Sequence, residues 1–358
     1  MSTDPADFGS DYTANLPSIL AGLGASLVLS TYQSGHVIVI RSADGTSIDT
    51  HFARFDRPMG IGASANRLVI GTRRELRELG NVPALAGRLP TPLSDAVYAL
   101  RRTHVTGDID VHEIAIGHGD VWFVNTAFSC LCRWTAEHSF DPVWRPGFVS
   151  SLAPEDRCHL NGLALVDGRP RYLSALGATD SPQGWRAGKR NGGVLLDCIE
   201  EGIVASGLSM PHSPRWDGDR LWLLESGKGA LVTVDLGDGH VTEVTRLPGF
   251  TRGLALIDRY AFVGLSTLRE SNAFTDIPVT EDGGARVCGV YVVDCRAGRP
   301  VGFLRFSGRV QELFAVEPLT GARWPALVAD DPDLLDSTYT LPEAALAEVR
   351  MTPSGATG

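Results

Sequence analysis

Apolar residues in this chain come in short runs rich in β-branched and aromatic side chains, bounded by Gly, Asp, Asn and Pro. That texture predicts strands joined by turns. Helical periodicity is confined to Pro342-Glu-Ala-Ala-Leu-Ala-Glu-Val, which predicts a short C-terminal helix. One pattern recurs six times: a short phrase with one variable position, then a turn, then a second apolar strand. The phrases are Arg57-Pro-Met-Gly-Ile, Asp110-Val-His-Glu-Ile, His159-Leu-Asn-Gly-Leu, Met210-Pro-His-Ser-Pro, Pro248-Gly-Phe-Thr-Arg-Gly-Leu and Val310-Gln-Glu-Leu-Phe. Aligned on the second strand, the variable position holds Met59, His112, Asn161, His212, Arg252 and Glu312. The repeats lie roughly 40 to 60 residues apart, the length of a four-stranded propeller blade.

The N-terminal strands Leu27-Val-Leu-Ser, Gln33-Ser-Gly-His-Val-Ile-Val-Ile and Ser47-Ile-Asp-Thr-His-Phe match strands two to four of a blade and lack an inner strand. Gln311-Glu-Leu-Phe-Ala-Val offers one. The expected fold is therefore all-β, a six-bladed β-propeller. N-terminal strands complete the blade begun by the C-terminal inner strand, which removes free sheet edges. Residues 1–358 read as a single domain, with an ordered core from about residue 15 to 345 and a frayed tail over Thr352–Gly358. Three long connections, Arg73–Asp95, Gly177–Gly192 and Ser266–Arg286, are expected to follow the second strand of a blade. They would then crowd the rim where His112 and its counterparts enter the channel.

Composition narrows the function. Charged residues make up 21% of the chain and the formal net charge is -10, which argues against nucleic acid as a partner. The apolar stretch from Leu16 to Leu29 is interrupted by Pro17, Gly22, Gly24 and Ser26, too broken for a membrane span. The start, Met1-Ser-Thr-Asp-Pro-Ala-Asp, lacks the basic and apolar regions of a signal peptide, so a bacterial cytoplasmic location is expected. The six cysteines are scattered; Cys130 and Cys132 share one strand face and read as packing. Walker loops, nucleophile elbows and zinc-protease helices are absent from the sequence.

His112 and His212 occupy the repeated position, and strand alternation puts His159 on the same face as Asn161. Imidazoles from separate blades meeting in a channel suit a divalent metal, zinc first, with iron, manganese or copper as alternatives. His112, His159, His212 and Asn161 are the candidate ligands. Glu312 is a further ligand or a general base. Asp110 is an oxygen ligand or a group that fixes a histidine tautomer. Arg252 either pairs with Glu312 or binds a substrate carboxylate or phosphate with its fork. Tyr32 is a candidate acid or base. Arg57, Arg215, Arg269 and Trp185 are expected around the same rim as substrate-binding groups.

The segment Trp216-Asp-Gly-Asp-Arg-Leu-Trp-Leu-Leu-Glu-Ser-Gly-Lys-Gly and the phrase His159-Leu-Asn-Gly-Leu-Ala resemble an uncharacterised bacterial propeller family, a domain of unknown function, over most of the chain. The architecture is more distantly similar to gluconolactonase and strictosidine-synthase-like propellers. Those hold a divalent metal with Glu, Asn and Asp, where this chain has His112, His212 and Glu312. The histidine set is similar in type to that of peptidyl-hydroxyglycine amidating lyase, which binds zinc through three histidines. Together these readings predict a metal-dependent lyase, hydrolase or isomerase acting on a small, anionic metabolite or a modified peptide. The alternatives are an iron or copper oxidase or oxygenase, and a non-catalytic propeller that binds a ligand or protein.

Overall fold

The computed structural model describes residues 8–90, 94–267, 276–281 and 283–349. Among these, the strands form six small sheets in a ring, a six-bladed β-propeller. Inner strands touch neighbour to neighbour, and the sixth returns to the first. Blade four shows the unit: Pro211–Trp216, Leu221–Glu225, Ala230–Val234 and Val241–Arg246, in antiparallel order from the channel outward. Its first turn is fixed by Asp217, whose carboxylate accepts the amides of Asp219 and Arg220 at 2.9 and 2.7 Å and the Trp222 indole N–H at 2.7 Å. An aspartate capping its own turn in this way sets the hairpin register. The core lies between blades: Val124 and Leu131 of blade two pack on Leu160, Leu163 and Leu173 of blade three.

The ring closes as the sequence predicts. Ala315–Thr320 is the inner strand of blade six, and Ala25–Ser30, His36–Arg41 and Asp49–Arg54 complete it. Ala25 pairs with Thr320 and Ser30 with Ala315. Two further strands guard edges. Ser10–Tyr12 adds outside blade five, and Pro325–Val328 adds in parallel outside blade one.

Three local features differ from expectation. Leu16–Leu23 is an α-helix. Pro17 sits in its first turn, where a missing N–H costs nothing, and Gly24 ends it at φ 60°. Only Leu16, Pro17 and Leu20 of the helix are buried, so a single packed stripe suffices. At the other end, the predicted C-terminal helix shrinks to one turn, Glu343–Leu346. Finally, Glu75–Asn81 inside the supposed loop Arg73–Asp95 is the third strand of blade one. The long connection begins after it, joins strands three and four, and so lies on the opposite rim. The other two long connections do follow second strands, Arg169–Ala175 and Tyr260–Ser266. Among the described residues no helix is long and apolar enough to cross a membrane.

Candidate functional site

The site lies where each chain crossing enters an inner strand. In four successive blades the residue two positions before the variable one has left-handed backbone without being glycine: Arg57 at φ 49°, Asp110 at 59°, His159 at 50° and Met210 at 47°. Each such residue costs on the order of 1–2 kcal/mol, and such strain gathers at functional sites. The bend has a use in two blades. The Asp110 carbonyl accepts the Nδ1–H of His112 at 3.1 Å, and the Met210 carbonyl accepts that of His212 at 2.9 Å.

A carbonyl oxygen only accepts, so Nδ1 carries the proton in both rings and Nε2 presents the lone pair. Burial, with His159 and Arg252 nearby, holds the His112 imidazole well below the usual histidine range. Burial does the same to His212, followed by Arg252 and His159. Both rings are therefore neutral at pH 7. His159 is held differently: its Nδ1 lies 2.9 and 3.0 Å from the two carboxylate oxygens of Asp156. Its ring centroid is 4.7 Å from that of His112, edge to face. All described hydrogen bonds to these three rings are at Nδ1.

Arg252 stands beside them. It is 8% exposed, and its guanidinium carbon lies 3.5 Å from the centroid of the Phe314 ring. Its Nη1 is 3.8 Å from Glu312 Oε1, an ion pair too long for a hydrogen bond. Burial lowers the Arg252 pKa, while Glu312 and Asp110 pull it back. Phe314 also stacks on Tyr32 at 5.8 Å and meets the edge of His112 at 5.0 Å. Arg57 lies over the Tyr32 ring at 5.7 Å and pairs with Asp108 and, at 4.0 Å, with Asp110. Burial raises the Asp110 pKa against the pull of His159, Arg57 and Arg252. It also raises that of Tyr32, against Arg57. His112, His159, His212, Arg252, Glu312, Tyr32, Arg57 and Asp110 thus form one electrostatic neighbourhood.

Other expected site residues have different surroundings. Asn161 uses both ends of its amide within the protein, donating to Pro211 O at 3.0 Å and accepting from Ser174 Oγ at 2.6 Å. It ties blade three to blade four. Trp185 is 3% exposed, packs 4.6 Å from His159 and donates its indole N–H to Asp156 at 2.9 Å, so it backs the histidine and does not face the mouth. Arg215 sits three residues beyond His212, bonded to Glu113 at 2.9 Å and Glu317 at 2.6 Å. Those carboxylates come from blades two and six, so the triad plugs the channel and Arg215 is not on the rim. Arg269 lies outside the described residues. Met59 is fully buried. Asp156 and Phe314 were not singled out from sequence. Their signals were position alone: three before His159, and two after Glu312.

The donor chemistry suits a divalent metal, but the spacing is not closed. Among the described residues no three His, Cys, Asp or Glu side chains stand together as a ready ligand set.

Comparison with solved structures shows shared architecture. A chain from a nidogen/laminin complex aligns with TM-score 0.54 at 9% identity, covering 83% of this chain and 99% of its own. A protein of unknown function from Bacteroides caccae aligns with TM-score 0.50 at 10% identity, covering 82% of this chain and 98% of its own. At such identities the likeness is one of fold. A search of curated proteins finds no match. The family described as Domain of unknown function (DUF4915) matches residues 14–328. That span includes the whole histidine–arginine neighbourhood and the closing blade, and the chain belongs to this family.

Proposed function

We propose that the mouth of the channel is the active site of an enzyme acting on a small anionic molecule. One observation carries this reading: Arg252 is a buried guanidinium with no side-chain hydrogen bond among the described residues, and its nearest carboxylate is 3.8 Å away. A buried charge without close acceptors is costly. A substrate carboxylate or phosphate would supply them in bidentate form. His159, oriented by Asp156, is then the group placed to take or give a proton beside the anchored anion. Lyase, isomerase and hydrolase chemistry all use such a step.

A metal-assisted form is favoured by the histidine tautomers. With each Nδ1 engaged, the Nε2 atoms of His112, His159 and His212 are left for a shared ion, as in many metal sites whose ligands are fixed from behind. Zinc suits this donor set best, with iron, manganese or copper as alternatives. When bound, the ion would polarise a substrate oxygen or lower the pKa of a water. Glu312 and Asp110 would flank it as ligand or base. Since the rings are not at closed ligand spacing, loading would draw them together.

Two measurements test the proposal. Thermal unfolding with a panel of small carboxylates and phosphates is expected to find stabilising ligands for the wild type, by about 3 kcal/mol at a hundredfold excess over Kd. None should stabilise Arg252→Met. A wild type indifferent to every anion contradicts the reading. Elemental analysis is expected to find about one divalent ion per chain, lost in His112→Ala/His212→Ala. Metal-free wild type would restrict the site to acid–base chemistry, and iron or copper with oxygen uptake would favour an oxidase.

A further inference from the structure

Beside the mouth, between blades six and one, lies an open cavity of about 860 Å³. Arg54, Arg57 and Arg77 line it, with Tyr32 and the carboxylates Asp56 and Asp330. Arg57 is already paired with Asp108 and, at 4.0 Å, with Asp110, whereas Arg54 makes no ion pair among the described residues. For Arg77 the carboxylate at hand is a poor counterion. Asp330 is 81% exposed and stands 3.8 Å from Arg77; a surface pair of that kind contributes about 0–1 kcal/mol. Arg57 and Arg77 also each keep a buried Nε N–H with no hydrogen-bond partner. Such donors are rare, because leaving one unmade costs about 1–3 kcal/mol. The Nη2 groups beside them are already bonded, in Arg57 to Asp108 and in Arg77 to Ala329 O at 3.1 Å, so each arginine has its Nε–H left to give.

The cavity borders the mouth at Tyr32 and Arg57. Arg57 lies over the Tyr32 ring at 5.7 Å, Tyr32 stacks on Phe314 at 5.8 Å, and Phe314 carries Arg252 at 3.5 Å. The stacked rings of Tyr32 and Phe314 thus lie between the two arginines. We infer that this cavity is a second anion subsite of the same ligand. The substrate class is then an elongated small molecule with an anionic group at each end and an apolar middle running past Tyr32 and Phe314. One end meets Arg252 and the other meets Arg77 and Arg57. This deepens the proposed function and rests on Arg252 being the first anchor.

The test uses the full chain and a series of linear α,ω-dicarboxylates of increasing length, each matched with the monocarboxylate of equal length, titrated by calorimetry. The monocarboxylates read the Arg252 anchor and the dicarboxylates read the second subsite. At one favoured length the dicarboxylate should bind at least tenfold tighter than its partner. Arg77→Met should reduce it to the monocarboxylate level and leave the monocarboxylate unchanged. Arg77 also bonds Ala329 O at 3.1 Å and packs on Phe55, so the exposed Arg54→Gln serves as a variant outside the core. It should lower dicarboxylate affinity severalfold with no change in thermal stability. Equal affinity of both series at every length, or a tenfold preference that survives Arg77→Met and Arg54→Gln, overturns the second subsite and leaves the Arg252 reading standing. Binding of neither series overturns both.

Discussion

Glu113, Arg215 and Glu317 place two carboxylates against one guanidinium in the channel, so one negative charge is surplus. Burial raises both carboxyls against the pull of Arg215, and the neighbouring Glu113 adds to the push on Glu317, which rises to about 7. A carboxyl whose folded pKa is raised from 4.5 holds its proton more tightly in the native state, so its contribution to stability is present below pH 4.5 and lost as pH rises through about 7. The stability of the wild type relative to Glu317→Gln should therefore fall between pH 5 and 8, by roughly 3 kcal/mol at most. Urea unfolding at a series of pH values measures it; a difference independent of pH contradicts the shared proton. The comparison with the variant matters because His112 and His212, buried neutral, act in the opposite direction below their usual range. The sequence made the histidine positions legible, since a repeated slot repeats its direction. It misplaced Arg215, because three residues further along an irregular inner strand no alternation rule tells rim from channel. Phe314 and Asp156 stayed hidden for a related reason: the role of Phe314 comes from side chains meeting across blades, and that of Asp156 from a loop that brings Trp185 back beside His159.

Strands and their connections hold the site through a device that recurs in this fold. A hydroxyl at the end of a second strand bonds the next blade's inner segment. Thr126 donates to Leu160 O at 2.6 Å, Ser266 to Leu313 O at 3.1 Å, and Ser30 to Met59 O. These bonds set neighbouring inner strands to one height, which lets His112 and His159 meet. Thr126→Val keeps the shape and strands the Leu160 carbonyl, so it should cost about 1–3 kcal/mol in urea unfolding. A neutral result would show that the hydroxyl is only filling space. Ser30, Thr72, Thr126, Ser226 and Ser266 close or follow the second strands of five blades; blade three has Ala175-Leu176-Gly177 there. The Arg73–Asp95 loop was misjudged because Glu75-Leu-Arg-Glu-Leu has no β-branched residue and its two leucines stand three apart across a bulge between Glu78 and Leu79, which breaks the alternation of a strand.

For the whole molecule, closure is the organising fact. Leu313, Val316 and Leu319 are at most 2% exposed, and six register pairs join Ala315–Thr320 to Ala25–Ser30. At about 1.5–3 kcal/mol per buried side chain, losing that strand exceeds much of a marginal stability of roughly 5–15 kcal/mol. A chain ending at Gly308 should therefore show no cooperative unfolding transition by circular dichroism. A normal transition would mean that the ring does not depend on its closing blade. The six-bladed ring itself was legible because spacing, unmatched N-terminal strands and a spare C-terminal strand all agreed. The chemistry at its mouth was legible only as a set of residue types. The most direct test of the central claim is a crystal structure grown with inorganic phosphate. The account predicts phosphate oxygens within hydrogen-bond distance of Arg252, in the mouth beside His112, His159 and His212. An Arg252 guanidinium closed onto Glu312 in direct hydrogen bonds, with phosphate absent from the mouth, would contradict it.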